Sequence, residues 1–142
     1  MKKQILLICL VLASIYGKGQ HAIIPLEQLP EYSQYFLSQH FPMIKVSNVM
    51  IDTGRDTTYT AIVGNEAEVE FDKFGYWTDV EMRSNDVPHT IVPDPITNYV
   101  LNNHANQRIV KIERDETKYL VLLSNGMELK FNGLYQLYEI DD

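Results

Sequence analysis

Four histidines, a run of alternating glutamates and scattered serines are the residues of this 142-residue chain that could carry chemistry. His21, His40, His89 and His104 show no HExxH or HxH spacing, so no local pair is set up to hold zinc. His40 and His104 pair when the chain is compared with itself, each near the expected end of a helix, where the helix dipole favours an imidazolium. A metal between them would need the two helix ends to converge, and the structural role is the simpler expectation. Glu66, Glu68 and Glu70, followed by Asp72, offer carboxylates for acid–base work or for calcium. Residues two apart on a strand share a face, however, so the series reads more simply as the wet side of a sheet that could attract a cationic partner. Ser33, Ser38, Ser47, Ser84 and Ser124 lie in no Gly-x-Ser-x-Gly elbow, and no glycine-rich phosphate loop is present. The residues point to no catalytic group and no cofactor, and hydrolase activity ranks last among the readings.

Aromatic residues are the other material for a site, with nine tyrosines and one tryptophan. Most should pack within strands, where rings fit a pleated, half-buried surface. Rings that stay outside among the glutamates would form a recognition patch. Tyr76 and Trp77, placed on the open face with Glu66, Glu68 and Glu70, are the residues expected to make that surface.

These side chains need elements to hold them, and the sequence spells one set out twice. At a shift of 64, Tyr35 falls on Tyr99, Leu37 on Leu101 and His40 on His104. Further on the shift becomes 60, pairing Tyr59 with Tyr119, Asn65 with Asn125 and Phe71 with Phe131. The change falls between Asp52–Thr57 and Arg114–Thr117, polar stretches that read as hairpin turns, where length changes are tolerated. Each copy opens with a helix signal, Pro30 with Glu31 and then Asp94 with Pro95, where Asp94 can cap and Pro95 suits the first turn. Tyr32, Tyr35 and Phe36, like Ile96, Tyr99 and Val100, then make an i, i+3, i+4 apolar stripe. The period next drops to two, with Ala67, Val69 and Phe71 set against the glutamates, and Asn125-Gly126 marks a hairpin. About four strands per copy are expected. The fold class is α+β: two tandem helix-plus-antiparallel-meander repeats, over about 29–81 and 92–140, forming one sheet with two helices on one face.

Composition bounds the setting. Lys2 and Lys3 precede an unbroken apolar run from Ile5 to Ile15, followed by small residues to Gly19. That is the layout of a signal peptide over residues 1–19, too short to span a bilayer comfortably, with a single domain over 20–142. Cleavage would remove Cys9, the lone cysteine, and with it every disulfide or thiolate chemistry. It would also remove Lys2, Lys3 and Lys18 and no acidic residue, moving the net charge from −7 to −10. Such a charge disfavours nucleic acid as a partner, and no stable membrane insertion is expected after cleavage.

Beyond these patterns the chain resembles the PepSY-like family of exported bacterial proteins, whose fold is similar to that of the β-lactamase-inhibitor protein. The resemblance rests on Leu29-Pro30, Tyr35-Phe36-Leu37, His40-Phe41-Pro42, Val69-Glu70-Phe71-Asp72 and Gly75-Tyr76-Trp77. The second copy adds Val87-Pro88, Tyr99-Val100, Ile112-Glu113-Arg114 and Leu123-Ser124-Asn125-Gly126-Met127-Glu128-Leu129, so that roughly residues 29–140 are covered. It departs from the first copy in reading His104-Ala105-Asn106 where the first has His-Phe-Pro. The resemblance implies a binding or inhibitory role and supplies no catalytic residue. The expected function is therefore an exported, periplasmic or secreted, non-enzymatic binding module for an unknown protein or peptide, an envelope protease being one target. The alternative is a small-molecule or metal binder with a cavity between helices and sheet or a site near His40 and His104.

Overall fold

The period-two segments become strands of one antiparallel sheet covered by two helices; the second buries Ile96 and Val100 of its expected stripe, whereas the first turns Tyr32 and Tyr35 outward, 62% and 64% exposed, and buries Ser33 and Leu37 instead. A computed structural model describes residues 21–142; the segment 1–19 expected to be a signal peptide, with Cys9, lies outside the described residues. The chain runs β1 (His21–Ile23), a short 3-10 turn, α1 (Glu31–His40), then β2 (Val46–Asp52), β3 (Thr58–Val63), β4 (Ala67–Phe71) and β5 (Trp77–Met82). It continues with α2 (Asp94–Asn103), β6 (Ile109–Arg114), β7 (Lys118–Leu123), β8 (Glu128–Asn132) and β9 (Leu137–Asp141). All nine strands lie side by side in chain order. A helix followed by four strands thus occurs twice. The strand without forewarning is β1, three residues with no periodic signal, which pairs with Met50–Asp52 at one edge.

Val49, Ala61, Val69, Val80, Ile112, Val121 and Leu129 sit opposite one another from β2 to β8 and are buried. Both helices pack on this face. Phe36 of α1 meets Phe71 edge-on at 5.7 Å, and Tyr99 of α2 meets Phe131 in the same way at 5.6 Å. Ser33 and Leu37 are the buried residues of α1, and Ile96 and Val100 those of α2. Burying Leu37, Ile96 and Val100 contributes about 1.5–3 kcal/mol each, which helps hold ten-residue helices too short to persist alone in water.

Two expectations shift in detail. Glu31 and Asp94, the first residues of the helices, are 63 positions apart, so Phe36 has the place of Tyr99 and His40 that of Asn103. His40 ends its helix whereas His104 follows the end of the other, so the two are not equivalent. Asp94 is the first helical residue and does not cap; Pro93 stands at the N-cap with no side-chain hydrogen bond.

Candidate open-face site

The face turned away from the helices carries the polar half of every alternation. Across β4 to β9, Glu70, Asp79, Glu113, Leu120, Lys130 and Glu139 lie in register. One row along lie Glu68, Glu81, Lys111, Leu122, Glu128 and Asp141. Eight carboxylates therefore share the face with Lys111, Lys118 and Lys130, and Leu120 and Leu122 form a half-buried apolar step between them.

Lys111 is the centre of the densest group. Its ammonium lies 2.9 Å from Glu113, 3.2 Å from Asp79 and 3.8 Å from Glu81. Against the burial that would discharge it, these partners hold its proton more tightly than usual. Asp79 behaves differently from Glu113. Burial pushes the Asp79 carboxyl up to about 7, despite Lys111, while the hydrogen bond from Lys111 holds Glu113 below its usual range. One ammonium shared by three carboxylates cannot offset the desolvation of the most enclosed of them. Glu70 is also raised, by burial and then by Glu68. A hollow of about 440 Å³ opens here, lined by Glu70, Asp79, Glu113, Lys118 and Leu120 among others.

The consequence is a measurable pH dependence. Asp79 binds its proton more tightly folded than unfolded, so its contribution to stability is complete below about pH 4 and is lost as pH rises to about 7. Asp79→Asn should therefore leave stability unchanged near pH 4 and raise it at pH 8 by about 1–2 kcal/mol, a value reduced to allow for partial solvent screening. Urea melts at the two pH values check this. A difference between variant and wild type that does not grow with pH would show that Asp79 ionises freely.

The structure divides the expected site residues. Glu68 and Glu70 stand on the open face and are exposed. Glu66 lies just before β4, in the β3–β4 turn, and its carboxylate accepts a hydrogen bond from Asn85. Trp77 is a correction: it is 8% exposed and lies on the helix side, 6.1 Å from Phe36. A bulge between β4 and β5 pairs Phe71 with Trp77 where strict alternation would pair it with Thr78, and this turns the indole inward. Arg114 then closes over it, with its guanidinium 4.0 Å from the ring and Nε donating to the Trp77 carbonyl at 2.8 Å. Tyr76 is likewise not on the face; it stacks on Tyr32 of α1 at 5.2 Å. The residues missed include Asp79, Glu81, Lys111 and Glu113, although Asp79-Val80-Glu81 and Lys111-Ile112-Glu113 carry the same alternation as the glutamate run.

His40 also departs from expectation. It packs 4.5 Å from Phe36, and its Nδ1 meets the Thr90 hydroxyl at 2.8 Å. Burial lowers its pKa and favours the neutral ring. Among the described residues no three His, Cys, Asp or Glu side chains are grouped to hold a metal ion. Nor is any described helix long and apolar enough to cross a membrane.

Comparison with known proteins places this geometry. The family described as "Putative beta-lactamase-inhibitor-like, PepSY-like" matches residues 57–139. A Bacteroides thetaiotaomicron protein, described as "a putative calcium-regulated periplasmic protein", is 37% identical, with 86% of this chain and 97% of that one aligned at a TM-score of 0.83. A Bacteroides vulgatus protein of the DUF2874 family, described as a "putative periplasmic protein", is 40% identical over 87% of this chain and 98% of its own, with a TM-score of 0.82. A second Bacteroides vulgatus protein, described as "a putative periplasmic protein of unknown function", is 26% identical over 87% and 100%, also at 0.82. None of the curated proteins matches the chain.

Proposed function

We infer that this chain, which belongs to the PepSY-like family, is an exported, non-enzymatic binding protein whose open sheet face takes up a cationic protein or peptide. The observation that carries the reading is the eight carboxylates set against three lysines on a face that no described element covers. Residues 1–19 act in this reading as a cleaved leader, consistent with relatives described as periplasmic, and the helix-then-four-strands order reflects duplication of one unit. Inhibition of an envelope protease is one form such binding would take. A net charge of −7 disfavours nucleic acid. The calcium named for one relative finds no preformed cage among the described residues here.

Affinity capture from an envelope extract at low salt should recover a partner that a Glu66→Lys, Glu68→Lys, Glu70→Lys variant binds at least about tenfold more weakly, since like charges across an interface cost several kcal/mol. Equal retention by the variant would remove the open face from consideration. The second reading, a small-molecule binder, draws on a hollow of about 370 Å³ at the helix-side seam, lined by Tyr76, Trp77, Arg114 and Tyr119. Its only cation besides backbone dipoles is Arg114, already engaged with Trp77, which is why the acidic face leads.

A further inference from the structure

Strands β5 and β9 have the same surroundings on one side and opposite ones on the other. Each pairs inward after the same irregularity, at Glu70/Phe71 for β5 and at Lys130/Phe131 for β9. On its outer side β5 meets β6: Val80 faces Ile112 and is fully buried, and Lys111 reaches Asp79 and Glu81. Among the described residues β9 has no outer neighbour. Ile140, which lies opposite Leu129 on the helix side, is left 45% exposed, and Tyr138 beside it 53%. The backbone of Leu137–Asp141 is thus an open edge of unpaired hydrogen-bonding groups bordered by apolar surface.

We propose that β9 is a docking edge for an extended basic peptide segment of a partner protein, added as a tenth strand in the way β6 is added to β5. The charges select this occupant. Glu139 and Asp141 project from β9 on the open face and share the ammonium of Lys130, at 3.0 and 2.8 Å, which leaves the pair with net negative charge. A strand with a lysine or arginine between apolar residues would place that cation against both carboxylates, as Lys111 between Ile109 and Ile112 does for β5. A second copy of the chain fits poorly. Antiparallel pairing of β9 with itself would bring the Glu139 and Asp141 side chains of both copies together, and β1, the other edge, offers His21-Ala22-Ile23 with no lysine or arginine.

The internal template supplies the probe, a capped peptide of the sequence Arg108–Arg114 titrated to millimolar concentration into the isotope-labelled whole protein. Backbone amide shifts should concentrate in residues 137–141. The same peptide carrying Lys111→Glu should bind about tenfold more weakly, as should the original peptide to a Glu139→Lys, Asp141→Lys protein. Combining the altered peptide with the altered protein should restore most of the loss, which general attraction to an acidic molecule would not do. A Glu68→Lys, Glu70→Lys protein should bind the peptide as the wild type does, and this separates the edge from the face proposed above. No shift, shifts centred on β1 or on Glu68 and Glu70, failure of the charge swap to rescue, or a stable dimer occupying the edge would each overturn the assignment.

Discussion

Replacing Gly75 by alanine should lower the unfolding free energy by about 2–4 kcal/mol, combining the positive-φ penalty with a forced displacement of the N-terminus of α1. Gly75 adopts φ +92°, and a Cβ built there would lie 2.5 Å from Cβ of Pro30 and 2.9 Å from Oγ of Ser33. Ser33, fully buried, donates from that hydroxyl to the Gly75 carbonyl at 2.9 Å. The turn alone does not demand glycine. In the β8–β9 turn Asn132 Oδ1 accepts from the amides of Leu134 and Gln136, as Asp72 Oδ1 accepts from those of Phe74 and Tyr76, and there Tyr135 takes a positive φ of 61°. What differs is the helix pressed against the turn. Most of the loss should therefore couple to Pro30. A Pro30→Gly, Gly75→Ala double variant should be less destabilised than the sum of the single changes by about 1 kcal/mol or more. Chemical denaturation of the four proteins measures this, and strict additivity would mean that the backbone conformation, not the close approach, sets the cost.

Phe71→Ala should cost about 3–5 kcal/mol, the usual range for emptying a buried phenylalanine site. The ring is fully buried, faces Phe36 edge-on and lies opposite both Tyr59 and Trp77, so its removal opens a void where α1, β3 and β5 meet. The neighbouring Glu70→Ala, on the other face of the same strand, should move stability by about 0.5 kcal/mol or less. Urea midpoints compare the two directly. A cost for Phe71→Ala below about 1.5 kcal/mol would show that the core relaxes around the gap and that the Phe36–Phe71 contact does not anchor α1.

The Gly75 change acts where one half of the chain differs from the other and the Phe71 change where the two agree, and together they show how far the sequence could be read. The helices, the eight longer strands and the inward set Ala67, Val69 and Phe71 follow from periods of 3.6 and 2 that are properties of the local backbone. So does the exposure of Glu68 and Glu70. Family resemblance was legible for the same reason, since its motifs are largely turn and core positions. The open face as an acidic surface was visible in one strand only. Its extension through Asp79, Glu81, Lys111 and Glu113 depends on which strand lies beside which.

Sequence by itself thus settled the elements, the inward sides of the strands and the acidic character of the molecule, because each of these is written within a few consecutive residues; the buried side of α1, Ser33 and Leu37 in place of Tyr32 and Tyr35, was decided by packing. Tertiary structure alone decided the rest. The bulge opposite Phe71 reversed the side on which Trp77 lies, since an extra residue in one strand changes which of its side chains point inward from there on. Packing against Phe36, with Thr90 alongside, made His40 a neutral, partly buried ring instead of a dipole-stabilised cation. The sharing of Lys111 among Asp79, Glu81 and Glu113, and the bare outer edge of β9 beside the covered edge of β5, arise from contacts between distant segments. Such contacts depend on cross-strand register, which no single strand's pattern encodes.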